Sequence, residues 1–118
     1  MPGPESRLVG RIVKAVRKHY PGAWVFKVHG NPYQPTGIPD LLICIQGILI
    51  GAEVKCLGPG ESRAAARNRV SPQQRQHLRL INEAGGMAGV VMSIDDTLEL
   101  IERALAHRGP GNTKEKKT

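Results

Sequence analysis

Residues 37–56 read GIPDLLICIQGILIGAEVKC, two apolar runs joined at Gln46-Gly47. Two such runs across a two-residue turn containing glycine predict a β-hairpin. Alternate side chains of a strand share a face, so Glu53 and Lys55 project side by side, roughly 6–7 Å apart at their Cα atoms. A charged pair within an apolar strand is unfavourable unless something compensates it. Folding about Gln46-Gly47 brings Asp40, at the mouth of the first run, roughly opposite Glu53. The three charges are then either a site or a salt bridge at the edge of a sheet.

Outward from the hairpin, AWVFKVH (23–29) predicts a preceding strand and GNPYQPTGIP (30–39) a loop. PESRLVGRIVKAVRKHY (4–20) carries Leu8, Ile12, Ala15, Val16 and His19 at helical spacing, with Arg7, Arg11, Lys14 and Lys18 on the other face. Pro4 suits its first turn and Pro21-Gly22 stops it. After the hairpin, LGPGESRAAARNRV (57–70) has no apolar periodicity and predicts a mobile loop, partly helical around its alanines. Ser71 and Pro72 open a helix that closes on Gly85-Gly86. MAGVVM (87–92) reads as a short buried strand. SIDDTLELIERALAHR (93–108) is a final helix, with Ser93 or Asp95 near its start, Asp95 and Asp96 as caps, and Arg108 near its end. The fold expected is α/β with one central sheet, in the order helix, three strands, helix, strand, and an extra C-terminal helix. Residues 1–109 form one domain and 110–118 a basic disordered tail.

At 118 residues and 12.8 kDa the chain has room for one modest core, aliphatic because aromatics are only 3%. A net charge of +7 favours a polyanionic partner, nucleic acid or an anionic membrane surface. No apolar run approaches the ~18–20 residues that span a bilayer, and the N-terminus has no signal-peptide pattern. Cys44 and Cys56 lack metal-ligand spacing and read as free thiols in a reducing cytoplasm.

Two carboxylates converging from neighbouring strands suit a hard divalent cation, since magnesium takes one or two carboxylates plus water and phosphate oxygens. A lysine one strand step away can reach a phosphate or polarise an attacking water. Phosphodiester hydrolysis by such a set needs no covalent intermediate.

Pro39-Asp40 followed by Glu53-Val54-Lys55 resembles the PD-(D/E)xK nuclease motif in a restriction-endonuclease-like core. GIPDLL, EVK, and VSPQQ at the start of a helix further resemble the VRR-NUC family of virus-type replication-repair nucleases, in its small stand-alone phage and bacterial form. The resemblance spans roughly residues 4–92. It implies Asp40 and Glu53 as metal ligands, the Val54 carbonyl completing the shell, and Lys55 as the catalytic lysine. Gln74 matches the helix glutamine near the active site, and Glu5 the first-helix glutamate, a further ligand. Magnesium, or manganese in its place, is the implied cofactor. The implied partner is branched DNA such as a four-way junction, acted on by a homodimer.

Other readings stand beside these. Glu5 is equally a first-turn glutamate favoured by the helix dipole, and Gln73 is an alternative to Gln74. Trp24, Phe26 and Tyr33 can each stack on bases; core packing is the favoured reading for Trp24 and Phe26, whereas Tyr33 in its proline-rich loop is open. His29 and His77 are surface or packing residues. Arg63, Arg67, Arg69 and Arg75 are either a solvated face or phosphate contacts beside the site, with Lys27 joining them. A nuclease of the same fold acting on flaps, nicks or duplex, and a non-catalytic nucleic-acid-binding module, are the rival functions.

Overall fold

Pro4 occupies the first turn of α1 (Pro4–His19), where its missing N–H costs nothing, and the Tyr20 N–H closes the far end on the Val16 carbonyl. The computed structural model describes residues 3–107. Arg108, the expected domain end at 109 and the expected basic tail lie outside the described residues. α1 buries Leu8, Val9, Ile12 and Val16 along one stripe. His19, expected on that stripe, is exposed instead. It lies in the last turn, and its Nδ1 reaches back to the Ala15 carbonyl at 2.9 Å.

The strands are β1 (Trp24–Lys27), β2 (Leu41–Ile45), β3 (Ile48–Val54) and β4 (Met87–Val91), adjacent in the order β1-β2-β3-β4. Gln46 and Gly47 both take positive φ, 52° and 80°, as a two-residue hairpin turn between right-twisted strands requires. That turn sets the antiparallel register Ile45↔Ile48 through Leu41↔Ala52. β1 pairs antiparallel with β2, Trp24 opposite Cys44. β4 joins parallel to β3, Glu53 opposite Val90, after a crossover through α2 (Arg63–Asn68) and α3 (Pro72–Glu83).

Strand alternation divides the sheet into two faces. On one, Leu41, Ile43, Ile45, Ile48, Ile50, Ala52, Val54 and Val91 pack against α1 and α4 (Ile94–His107) as the aliphatic core. Ser93 Oγ accepts the Asp96 N–H, and Asp96 Oδ2 the Met92 N–H, to start α4. On the other face α3 lies over β3 and β4, with Ile81 against Gly51. β4 is half-buried except at Val91. Among the described residues no helix is long and apolar enough to cross a membrane. Both cysteines are free and half-buried.

A further expectation changes. Trp24 and Phe26 are not in the core: they are 55% and 47% exposed. β1 is an edge strand, and of its residues only Val25 faces inward enough to pack on the core. In residues 57–70 the helicity expected around the alanines is present as α2, and the segment around it is tied to the rest of the fold. Ser62 Oγ accepts the Ala65 N–H to cap α2, and Ala66 and Val70 are buried. Arg69 then ties the segment down, donating to Glu61 at 2.9 Å and 3.0 Å, to Glu5 at 3.2 Å and to the Cys56 carbonyl at 2.8 Å. Partners this distant in sequence leave no periodicity to read.

A Cβ on Gly86 would stand 2.6 Å from the Leu49 carbonyl oxygen and 2.8 Å from Ile81 Cγ2, where β4 enters beside β3. Gly86→Ala is expected to lower unfolding free energy by about 1–3 kcal/mol. Gly10→Ala on the open side of α1, where a Cβ meets nothing, should be neutral or slightly stabilising. Urea midpoints of the two variants check the contrast.

Candidate active site

The approach to Asp40 is built on the first turn of α3. Gly37 has φ +92°, and a Cβ there would lie 2.6–2.8 Å from the backbone of Gln73 and Gln74. Only glycine allows both the conformation and the approach. Pro39 is buried just beyond it, and Asp40 follows at the mouth of β2. The Asp40 carbonyl accepts the Val28 N–H at 2.9 Å, and its Oδ2 accepts the Val54 N–H at 2.8 Å. Asp40 is thus held by strands on both sides. The hairpin register, continued one step past Leu41↔Ala52, puts it opposite Glu53.

Glu53 is 2% exposed, the most buried charged side chain among the described residues. Its Oε2 accepts a hydrogen bond from Gln74 Nε2 at 3.0 Å and stands 3.7 Å from Lys55 Nζ. Its Oε1 is buried with no hydrogen-bond partner. Burial pushes the Glu53 carboxyl up to about 8 from an ordinary 4.5, and the neighbouring Asp40 carboxyl adds to the rise. Lys55 opposes the shift but does not cancel it. A settled salt bridge would hold Glu53 ionised. Here the cation is insufficient, and a buried carboxylate oxygen is left without a positive or donating partner.

Gln74 owes its aim to the helix cap. Ser71 Oγ accepts the Gln74 N–H at 3.1 Å, while Gln74 Oε1 accepts the Ser71 N–H at 2.8 Å, a capping box. With its carbonyl end engaged by Ser71, the amide presents Nε2 to Glu53. Gln73, the alternative, is exposed. Lys55 follows on from β3, its N–H on the Val91 carbonyl at 3.0 Å. A cleft between the 30–38 loop and α3 leads to the pair, lined by Val28, Asn31, Gln34, Gly37, Asp40 and Gln74. Tyr33 projects fully exposed from that loop.

Other expected residues lie elsewhere. Glu5 Oε2 accepts from the Cys56 N–H and from Arg69, each at 3.2 Å. Among the described residues no three His, Cys, Asp or Glu side chains gather as a metal-holding group. Glu5 is thus drawn to Arg69, although its charge still reaches Glu53 and adds to the rise of that carboxyl. Three of the arginines expected at phosphates make contacts within the protein. Arg63 pairs with Asp96 at 2.6 Å, Arg69 holds Glu5 and Glu61, and Arg75 donates to the Val70 and Arg67 carbonyls. The Arg69 hydrogen bond holds the Glu61 carboxyl below its usual range. Arg67 and Lys27 are exposed. The bracing roles of Arg69 and Glu61, and the seat at Gly37, had no signal in local sequence beyond the glycine itself.

No protein-family model and no curated protein sequence matches the chain. Solved structures do. One described as a VRR_NUC domain aligns with a TM-score of 0.54 and 25% identity, over 79% of this chain and 92% of that one. Another, a VRR_NUC domain protein, aligns with a TM-score of 0.59 and 17% identity, over 90% and 91%. The four-stranded sheet flanked by helices is therefore the VRR-NUC fold.

The folded-state carboxyl of Glu53 binds its proton more tightly than the unfolded chain does. Between pH 4.5 and about 8 the folded form holds a proton the unfolded form has released. In chelator, stability should therefore fall as pH rises through this window, and Glu53→Gln should flatten the fall. Thermal melts of both proteins at about pH 5.5 and about pH 8.5 provide the comparison.

Proposed function

We propose that this chain, a VRR-NUC domain protein, is a metal-dependent endonuclease that hydrolyses phosphodiester bonds of DNA. The observation that carries the reading is the unanswered Oε1 of buried Glu53 beside Asp40. A divalent cation fits these residues: it would satisfy the orphan oxygen and remove the penalty that now favours the protonated acid. Asp40, Glu53 and the Val54 carbonyl would hold magnesium, or manganese in its place. Bound there, the metal supplies charge stabilisation at the phosphate and activation of water.

The chain's own residues prepare the site. The Val54 N–H restrains Asp40, and Gln74 restrains Glu53, so neither carboxylate needs to reorganise. Lys55, with only 11% of its side chain exposed, adds a cation beside the carboxylates that can attract a phosphate or orient water. Exposed Arg67 and Lys27, with the net charge of +7, favour backbone contacts independent of base sequence.

The finer reading is a four-way junction resolvase working as a homodimer. One chain carries one such carboxylate pair among its described residues, and cutting two opposed strands calls for two matched sites, which a two-fold dimer provides. Free cysteines are consistent with a reducing cytoplasm.

The test is cleavage of a labelled four-way junction against flap, linear duplex and single strand, with and without magnesium or manganese. Paired, symmetric, metal-dependent nicks in the junction are expected. Glu53→Gln and Lys55→Met should each lower the rate by about 10²–10³-fold. Magnesium should raise the melting temperature of the parent but not of Glu53→Gln. Cutting of flaps or duplex instead would retain the chemistry and remove the resolvase role. Tight binding with no cleavage under either metal would overturn the nuclease reading.

A further inference from the structure

The sheet face that carries the candidate site is only half covered. Alternation and register place Trp24 and Phe26 of β1, Leu42 and Cys44 of β2, and Leu49 and Gly51 of β3 on that face. α3 occupies the β3–β4 side, and Trp24 and Phe26 remain about half exposed on the β1 side. Their rings are parallel within 4°, with centroids 5.7 Å apart. Two large aromatic side chains held open in this way mark a contact surface.

Charge identifies the occupant. α1 packs on the opposite face of the sheet, but one of its cations, Arg17, reaches the open edge of β1. Arg17 Nη2 lies 3.4 Å from the Val25 carbonyl, against β1 between the two aromatic residues. The stretch 108–118, RGPGNTKEKKT, has no large apolar side chain with which to cover the rings. A polyanion bearing flat apolar faces matches both features, and that is single-stranded nucleic acid with unpaired bases.

The platform is also in register with the site. β1–β2 pairing continues past Lys27↔Leu41 to the Val28 N–H on the Asp40 carbonyl. Phe26 is therefore two residues along the strand from the position facing Asp40, roughly 7 Å. We propose that Trp24 and Phe26 form a stacking platform for unpaired bases next to the phosphodiester presented to Asp40 and Glu53. The position of that phosphodiester rests on the nuclease reading; the platform itself can be tested without cleavage.

Trp24 is the only tryptophan, so its emission reports this surface directly. The full chain is titrated in chelator with a single-stranded oligothymidylate and with a blunt duplex of equal length. The single strand is expected to quench Trp24, to do so less at high salt, and to outcompete the duplex for it. Phe26→Ala should raise the Kd for the single strand about tenfold. By anisotropy of a labelled strand, Trp24→Ala should weaken binding similarly while Trp24→Phe restores it. Failure of the strand to bind, or saturation of the labelled strand with unchanged Trp24 emission, would overturn the proposal. So would a blue shift that grows with protein concentration, accompanies a doubled sedimentation mass and resists the oligonucleotide, since a second copy would then hold the face. A chain that cuts DNA without quenching loses the platform alone; one that quenches without cutting loses only the nuclease reading.

Discussion

A carboxylate buried to 2% exposure with one oxygen unanswered is the constraint around which this protein is arranged. Leaving such a group in a sheet is unfavourable, and the fold neither removes it nor fully pairs it. Lys55 stands 3.7 Å away, too weak a partner to offset burial and the adjacent Asp40. The resulting acid has a strongly raised proton affinity. Sites in which nearby groups leave a carboxyl so poised are characteristic of function, because a purely structural position is readily met by an apolar residue.

Supporting that carboxylate requires α3 to be placed correctly, and several local choices converge on its N-terminus. Ser71 and Gln74 close the capping box, which leaves the Gln74 amide nitrogen for Glu53. Gly37 lets the chain ahead of Asp40 rest on the same turn. Arg75, in the first turns of α3, donates to the carbonyls of Val70 and Arg67 and so ties α3 to α2. Arg69 then connects this block to Glu5 on α1. Arg69 and Arg75 thereby hold the crossover in place. Their guanidinium groups are suited to this, since several planar donors can bridge partners from different elements.

Much of the architecture could be read directly. The hairpin around Gln46-Gly47 gave its own register, because a two-residue turn leaves no freedom in the pairing. α1 declared itself through apolar spacing and a proline start, and α3 through its serine cap, its proline start and the closing glycines. The opposition of Asp40 and Glu53 followed from that register alone. α2, expected only as helicity around the alanines, has six residues and no apolar stripe, and it is held by a serine cap and the long-range Arg63–Asp96 pair. Trp24 and Phe26 were misplaced because alternation states which residues share a face but not which face is covered.

The sequence by itself determined the element order, the hairpin register and the identity of the charges that meet across it, since these depend on contacts between near neighbours. Tertiary structure alone decided that Glu53 has an orphan oxygen, that Glu5 turns to Arg69, and that two aromatic rings stay in solvent. Each of these depends on what residues far along the chain do or fail to cover. Burial and partner choice are properties of the assembled layers, and no local pattern encodes them.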